Sequence, residues 1–304
     1  MPTIEANGIT INYLLETPPS TRGDSEDLVV LINGLADDLQ AWSYQIPALH
    51  QAGYRTLRYD NRGIGLSSRP PGPYTAETMA EDLQALLLAL KIKGGFHLVG
   101  VSMGGMIAQS YALKYPNATS TTTSSSPQSD ERPPHLLSLS LCCTYAQPTT
   151  FCSRMFDLWA DMAQRMSVQD VMRDVTLWAF TVPFFRTRTE ELREVEEAME
   201  KLDMPLDAYL AQLNVIQKFD TTSALDSLQA AEQTLGNLEP GRVLVLAGKM
   251  DILIPVVLSR ELAEKIEGSQ FITTKGGHGC MWEYPEAFNK ALLDFLNTHR
   301  VAKP

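Results

Sequence analysis

The stretch Gly100-Val101-Ser102-Met103-Gly104-Gly105 constrains the fold more than any other feature of the sequence. It contains the pattern Gly-x-Ser-x-Gly, and it lies between an apolar run at 96–99, typical of a buried strand, and a helical pattern that begins at Met106. A sharp strand-to-helix turn needs glycine two residues to either side of the serine, because a Cβ there would collide with the crossing strand or helix. We therefore predict that Ser102 lies on such a turn, at a helix N-terminus that favours negative charge.

Strands and helices alternate through the first part of the chain. Short continuous apolar runs favour buried parallel strands, and each one is followed by a stretch with helical periodicity. The strand patterns lie at 28–32, 54–59 and 96–99, and the helical patterns at 42–52, 75–90 and 106–115. Alternating apolar residues from Ile9 to Leu15, after the turn signal Asn7-Gly8, indicate an antiparallel hairpin. This order predicts an α/β fold with a mostly parallel, doubly wound sheet.

A long stretch with only helical periodicity separates two groups of strands. The strand patterns lie at 136–143, 243–247 and 271–274, and the helical patterns at 155–166, 168–180, 190–201, 206–219, 256–266 and 285–296. Since both groups of strands would complete one sheet, we expect a single core, 1–148 and 225–304, with an inserted helical lid at 149–224. A Ser/Thr-rich stretch at 118–134 is typical of an exposed, mobile loop.

The composition argues against several classes of function. The chain of 304 residues has a formal net charge of −11 and dispersed Lys and Arg residues, which disfavours a nucleic-acid partner. No apolar stretch approaches the roughly 20 residues that span a bilayer, and the amino terminus has no secretory signal, so we expect a soluble cytoplasmic protein. The four cysteines show neither disulfide nor zinc spacing, so we expect no metal or other cofactor. The sequence leaves the oligomeric state open.

A serine hydroxyl is a weak nucleophile at neutral pH and needs a base within hydrogen-bond reach. Among the five histidines, His278 stands out because it lies in the glycine-rich loop 275–279, just after the last predicted strand. This position places the ring over the carboxyl ends of the parallel strands, where open α/β sheets form their sites. We therefore predict His278 as the base, against the alternative that it is an uninvolved surface residue.

The acid that orients the base is predicted to be Asp251. It follows the strand pattern at 243–247 and precedes a helical pattern. A carboxylate at this edge of the sheet can hold the imidazole in the required tautomer and offset the charge that the ring acquires. The alternative is that Asp251 is a turn or helix-cap residue, which is a common role for aspartate.

Acyl chemistry also needs hydrogen-bond donors for the developing oxyanion, and one such donor is typically worth about 3 kcal/mol. The backbone N–H of Met103, directly after the serine, is the first candidate. The second is the backbone N–H of Leu35, in the loop 33–36 that follows the first buried strand. Taken alone, Asn33-Gly34 is equally consistent with a plain turn.

Together these motifs resemble those of the α/β-hydrolase superfamily, and more narrowly of hydrolases similar to 3-oxoadipate enol-lactonase, aminoacrylate hydrolase and cofactor-free haloperoxidases. The similarity extends from Ile4 to Leu296 and rests on the motifs at 33–34, 59–67, 100–105, 248–251 and 277–279. The resemblance implies an α/β-hydrolase fold, because the chain order serine, aspartate, histidine is the order of that family's triad. Relatives usually have His-Gly where this chain has Asn33-Gly34. The serine at position 102 argues against dehalogenases and epoxide hydrolases, which use an aspartate.

The triad and the resemblance predict a serine hydrolase that cleaves an ester or lactone of a small to medium apolar molecule through an acyl-enzyme. Apolar residues of the predicted lid suit such a substrate, although apolar helix faces more often pack in a core. The residues predicted to contact substrate are Trp159, Met162, Trp178 and Phe184. Two alternatives use the same fold: hydrolysis of a carbon–carbon bond in a diketone, and a non-hydrolytic cyclase, isomerase or ligand receptor.

Overall fold

The computed structural model describes residues 1–18, 27–117 and 134–300. The stretch 118–134, predicted to be a mobile loop, lies outside these residues except for Pro134. Eight strands form one sheet: β1 Thr3–Ala6, β2 Ile9–Glu16, β3 Leu28–Ile32, β4 Arg55–Tyr59, β5 Gly95–Val101, β6 His135–Cys142, β7 Val243–Gly248 and β8 Gln270–Thr274. Their order is β1-β2-β4-β3-β5-β6-β7-β8. The pairs β1–β2 and β2–β4 are antiparallel and the other pairs are parallel, which confirms the predicted α/β sheet.

Twelve α-helices lie in the described residues: α1 Ile46–Gln51, α2 Ala76–Ala89, α3 Met103–Lys114, α4 Thr150–Ala163, α5 Val168–Ala179, α6 Val182–Thr187, α7 Thr189–Glu200, α8 Leu206–Lys218, α9 Thr222–Ala230, α10 Val256–Lys265, α11 Cys280–Glu283 and α12 Pro285–Thr298. Helices α4 to α9 follow one another between β6 and β7, and we call them the inserted helices. In these described ranges, none of the helices combines the length and the apolar character that crossing a bilayer requires.

Strand β3 shows why the central strands are continuous apolar runs. Its residues alternate between two buried clusters, with Val30 in one cluster and Val29 and Leu31 in the other. The first cluster contains Leu83 of α2, and the second contains Phe288 of α12. Because both faces of the sheet are covered by helices, every side chain of such a strand is buried.

Several helix boundaries differ from the sequence prediction. The helix expected from residue 42 begins at Ile46, because residues 39–42 form a 3₁₀ turn that Asp38 caps through the backbone N–H of Gln40. Helices α6, α9 and α11 were not predicted. They are short, and α9 buries one residue, Leu225, so none of them has an apolar stripe long enough to show helical periodicity. Helix α9 also runs across the boundary drawn at residue 224.

The junction of β5 and α3 is packed backbone against backbone. A Cβ added to Gly100 would lie 2.2 Å from the carbonyl oxygen of Gly104. A Cβ added to Gly104 would lie 2.2 Å from the carbonyl oxygen of Ile32, at the end of β3. Both separations are far below van der Waals contact, and the atoms that would have to move belong to the main chain. The sheet and α3 can therefore approach this closely only because both positions are glycine.

We predict that Gly104→Ala destabilises the fold by about 3 kcal/mol, since the added methyl group can be accommodated only by moving β3 away from α3. The measurement is the free energy of unfolding from urea titration. Gly94→Ala is the matched control, because Gly94 has a positive φ of 78° but nothing within 4 Å of an added Cβ, so its cost should be about 1 kcal/mol. Equal losses in the two variants would contradict the packing argument.

Candidate active site

Ser102 occupies the predicted strand-to-helix turn between β5 and α3. Its backbone has φ 56° and ψ −118°, a conformation that residues other than glycine rarely adopt. Its N–H donates to the carbonyl oxygen of Cys142 (2.8 Å), which fixes the turn against the end of β6. The residue is 8% exposed and lines a pocket at the carboxyl edge of the sheet. The strained turn thus directs the side chain of Ser102 out of the sheet.

His278 and Asp251 lie together at the same edge of the sheet. Nδ1 of His278 is 2.9 Å from Oδ2 of Asp251, and the other carboxylate oxygen of Asp251 accepts the backbone N–H of Ile254 (2.9 Å). A carboxylate can only accept, so the ring proton lies on Nδ1 and Nε2 is left as the basic nitrogen. The Asp251 side chain is fully buried, whereas the His278 side chain is 9% exposed and lines the pocket. This arrangement holds one ring tautomer in place.

Ser102 and His278 line the same pocket, but no hydrogen bond joins their side chains. The Ser102 hydroxyl has no hydrogen-bond partner in the part of the chain that the structure describes. Hydrogen bonds between a nucleophile and its base are often long without substrate and shorten in the reacting complex. The structure therefore brings Ser102 and the His278 of the His–Asp pair to one pocket.

The loop that presents His278 is clamped by the inserted helices. The backbone N–H of Gly279 donates to the carbonyl oxygen of Ala179 (2.8 Å), at the end of α5. Glu283, which is 2% exposed, accepts the backbone N–H of Gly277 (2.6 Å) through one oxygen and the backbone N–H of Thr181 (3.2 Å) through the other. The sequence carries no signal for this role of Glu283, because its two partners, Gly277 and Thr181, lie far apart along the chain.

The two backbone donors predicted for the oxyanion lie on either side of Ser102. Met103 is the first residue of α3, where an N–H group has no acceptor within the helix. Leu35 follows Gly34, and a Cβ built on Gly34 would lie 3.6 Å from Cβ of Ser102. The next amide, that of Ala36, is taken by Oε1 of Gln212 (3.0 Å). In the described residues no acceptor takes the Leu35 N–H, so it stays available to a ligand.

Asn33 and Gln212 hold the loop that contains Leu35. The Asn33 side chain donates to the carbonyl oxygen of Tyr59 (2.8 Å) and accepts the indole N–H of Trp42 (2.9 Å), so it is fully engaged within the protein. Gln212 of α8 accepts from Ala36 and donates to the carbonyl oxygen of Arg62 (2.8 Å). Gln212 was not identified from the sequence, because a glutamine on a helix gives no signal of a remote partner.

The pocket has a volume of about 790 Å³ and lies between the sheet edge and the inserted helices. Trp159 and Phe184, two of the four residues predicted to contact substrate, line it. The other two, Met162 and Trp178, are not among its lining residues and pack against the core. Helical periodicity identifies apolar positions, but it does not say which of them face a cavity and which face another helix.

Asp37 is a pocket residue that the sequence analysis missed. A Cβ on Gly34 would lie 2.9 Å from Oδ2 of Asp37, so this carboxylate sits beside the same glycine that borders Ser102. Enclosure by the protein, and then the neighbouring charge of Asp38, raise the pKa of Asp37 to about 7, and His278 opposes this shift. The two adjacent aspartates at 37 and 38, just after the predicted loop 33–36, could have indicated that a carboxylate lies near the site.

One group of side chains could in principle hold a metal ion. In the described residues, donor atoms of Cys143, Asp251 and His278 lie within 4.8 Å of one another. The atoms of Asp251 and His278 already bind each other. A hydrogen bond with Cys280 and then burial raise the pKa of the Cys143 thiol well above its usual value, which keeps it protonated and a poor ligand. This donor set fits a His–Asp pair better than a metal site.

The chain is similar to several known proteins in sequence and in fold. The Caulobacter segnis protein named "Putative carbamate hydrolase RutD" is 27% identical over 274 residues, which are 89% of this chain and 91% of that protein. The enol-lactonase from Burkholderia xenovorans LB400 is 26% identical, with a TM-score of 0.78 over 97% of this chain and 100% of that chain. A thermophilic esterase from Thermogutta terrifontis, 24% identical, shares the fold with a TM-score of 0.76 over 98% of this chain and 97% of that chain. A family model described as alpha/beta hydrolase fold matches residues 27–285, and the chain belongs to that family.

Proposed function

We propose that this chain is a serine hydrolase that cleaves an ester or lactone of a small to medium apolar molecule through an acyl-enzyme at Ser102. One observation carries the proposal. A serine on a strained turn opens onto the same pocket as His278, whose Nδ1–H donates to the buried Asp251 carboxylate at 2.9 Å. The relatives support hydrolase activity on this fold. The type of bond and the covalent intermediate are inferred from the chemistry of the site.

The reaction proceeds in two steps. Nε2 of His278 takes the hydroxyl proton as Oγ of Ser102 attacks the carbonyl carbon, and the resulting imidazolium is stabilised by the Asp251 carboxylate. The same proton then passes to the departing alcohol oxygen, leaving an ester on Ser102. A water molecule gives a proton to His278, attacks this ester and releases the acid, which restores the Ser102 hydroxyl.

The negative charge that develops on the carbonyl oxygen needs fixed donors. The N–H of Met103 at the start of α3 and the free N–H of Leu35 supply them in this proposal. The helix N-terminus adds a favourable field at the same point. Since these donors belong to the backbone, their position depends on the turn at Ser102 and on the hydrogen bond of Gln212 to the loop of Leu35.

We also propose that the inserted helices form a lid that runs from residue 149 to the end of α9 at Ala230, over a core of residues 1–148 and 231–304. Trp159 and Phe184 then contact the apolar part of the substrate. Phe184 is held by ring stacking with Phe180 at a centroid distance of 4.7 Å. Water is excluded from the ester by these rings, which strengthens the electrostatic interactions around Ser102.

We predict that Ser102→Ala and His278→Ala each lower kcat/KM for 4-nitrophenyl butanoate by about 10,000-fold, because each variant removes proton transfer to or from the nucleophile. The double variant should lose no more than either single variant, since the two residues act as one unit. The measurement is steady-state release of 4-nitrophenol, with the acid product identified by mass spectrometry.

Ser43→Ala is the matched control, because Ser43 lines the same pocket and takes no part in the triad. Its kcat/KM should stay within about twofold of the wild type. Turnover by Ser102→Ala at the wild-type rate would refute the assignment of the nucleophile. Conversion of substrate without any hydrolysed product would favour a non-hydrolytic enzyme.

We predict that Gln212→Leu lowers kcat by about tenfold to 100-fold with a smaller change in KM. The substitution leaves the Ala36 N–H without its acceptor and so loosens the loop that positions Leu35. The control is Asn214→Leu on the same helix, which removes a hydrogen bond to the Tyr74 carbonyl oxygen and leaves the loop of Leu35 untouched. If both variants lose kcat equally, the effect is general loosening of α8.

A further inference from the structure

Carboxylates greatly outnumber cations around the pocket. Six acidic residues line it: Asp37, Asp38, Asp60, Glu191, Glu194 and Asp203. Among the described lining residues, Lys201 is the one basic side chain that is charged at neutral pH. The remainder of the lining is rich in aromatic and aliphatic residues. A ligand in this pocket therefore meets apolar walls and a negative field.

Most of these carboxylates are already engaged within the protein. Asp203 pairs with Arg69 (2.8 Å), and Glu191 pairs with Arg188 (2.8 Å). Asp60 accepts backbone N–H groups of Leu39 and Leu66, and Asp38 accepts that of Gln40. Glu194 has no such partner in the described residues, and the carboxylate of Asp37 accepts the backbone N–H of Gly34 but pairs with no lysine or arginine there. Glu194 is exposed on α7, and Asp37 lies inside, beside Gly34 and Ser102.

The carboxylate of Asp37 lies close to Ser102. A Cβ on Gly34 would lie 2.9 Å from Oδ2 of Asp37 and 3.6 Å from Cβ of Ser102, so the carboxylate and the serine border the same point. No ion pair joins Asp37 to a lysine or arginine in the described ranges. Its partial burial leaves few water molecules to stabilise its charge. A cation held in the pocket would supply the missing partner.

The aromatic walls suit the same kind of ligand. Trp159, Phe180, Phe184 and Trp282 line the pocket. Aromatic ring faces attract cations, and tryptophan does so most strongly. An alkylated ammonium group is apolar at its periphery and positive overall, so it matches both the rings and the carboxylate.

We propose that Asp37 is the specificity residue of this pocket and that it selects esters bearing a quaternary or other alkylammonium group over neutral esters of the same shape. The inference rests on the proposed hydrolase function and names its substrate class. Esters bearing a carboxylate at the same position are disfavoured, since they would bring a second negative charge next to Asp37. The selection acts through contact with the carboxylate, and the outer acids of the pocket add a weaker field that salt screens.

The preference should depend on pH in a definite direction. The pKa of Asp37 is about 7, so the carboxyl group is mostly neutral at pH 6 and mostly ionised at pH 8. The groups that act on it are Asp38 and His278, with Glu194 and Lys201 of the inserted segment at the pocket wall. A ratio of two rates removes every effect of pH that the two esters share. Selectivity for the cation should therefore rise from pH 6 to pH 8.

The test uses two sets of esters in which the cationic and neutral members have the same shape. In the first set, 4-nitrophenyl esters, the acyl chain ends in trimethylammonium, in its neutral carbon isostere tert-butyl, or in carboxylate. The second set, choline butanoate and 3,3-dimethylbutyl butanoate, carries the difference in the alcohol. The wild type should give a kcat/KM ratio of cationic to neutral ester of about tenfold or more at pH 8 in at least one set. Asp37→Asn should bring that ratio below about twofold and abolish its pH dependence.

Glu194→Gln is the matched control, because it removes one charge from the same pocket at its exposed side. It should leave most of the ratio in place. A wild-type ratio near one in both sets, or an equal loss of selectivity in Glu194→Gln and Asp37→Asn, would overturn the assignment to Asp37.

The same esters separate this inference from the proposed function. Binding to Ser102→Ala, measured by calorimetry, should also favour the cationic ester and should lose that preference in Ser102→Ala/Asp37→Asn. Hydrolysis of neutral esters without cation preference would overturn the inference and leave the proposed function standing. If the wild type binds the cationic ester selectively but hydrolyses none of the esters, the proposed function is overturned and the cation preference stands.

Discussion

The close crossing of β5 and α3 at Ser102 is the constraint on which the rest of the site depends. Backbone atoms meet there directly, with no room for a Cβ at Gly100 or Gly104. This contact forces Ser102 into a positive φ, aims its side chain away from the sheet, and sets the first N–H of α3 beside it. The positions of the proposed nucleophile, of one proposed oxyanion donor and of the helix dipole therefore all depend on this one packing contact.

The inserted helices connect to both halves of the proposed machinery. Gln212 of α8 binds the loop of Leu35, while the end of α5 and the buried Glu283 hold the loop of His278. All of these hydrogen bonds are buried, and those made by Gln212, Ala179 and Thr181 join segments remote in sequence. Movement of these helices would therefore shift both the proposed base, His278, and the proposed oxyanion donor, Leu35. In this account, the helices that form the pocket wall also hold the loops of the proposed reacting groups.

The sequence predicted the frame of this fold well, because strands covered on both faces are continuous apolar runs; the prediction for β3, 28–32, has the observed bounds. It also named Ser102 and His278, which line the pocket, and Asp251, which binds His278, since each follows a strand at the same sheet edge. The sequence could not predict the roles of Asp37, Gln212 and Glu283, because hydrogen bonds and charge interactions between distant segments leave no periodic pattern. Periodicity does not orient a helix either, so it could not show that Met162 packs against the core and does not line the pocket.

The central claim is that Ser102 is a nucleophile activated by His278. It is tested most directly by labelling the protein with a fluorophosphonate, which reacts with activated serines, and mapping the adduct by peptide mass spectrometry. The account predicts a single adduct on Ser102, formed at least about 100-fold more slowly in His278→Ala. An unlabelled Ser102 in the folded wild type, or labelling at an equal rate without His278, would contradict it.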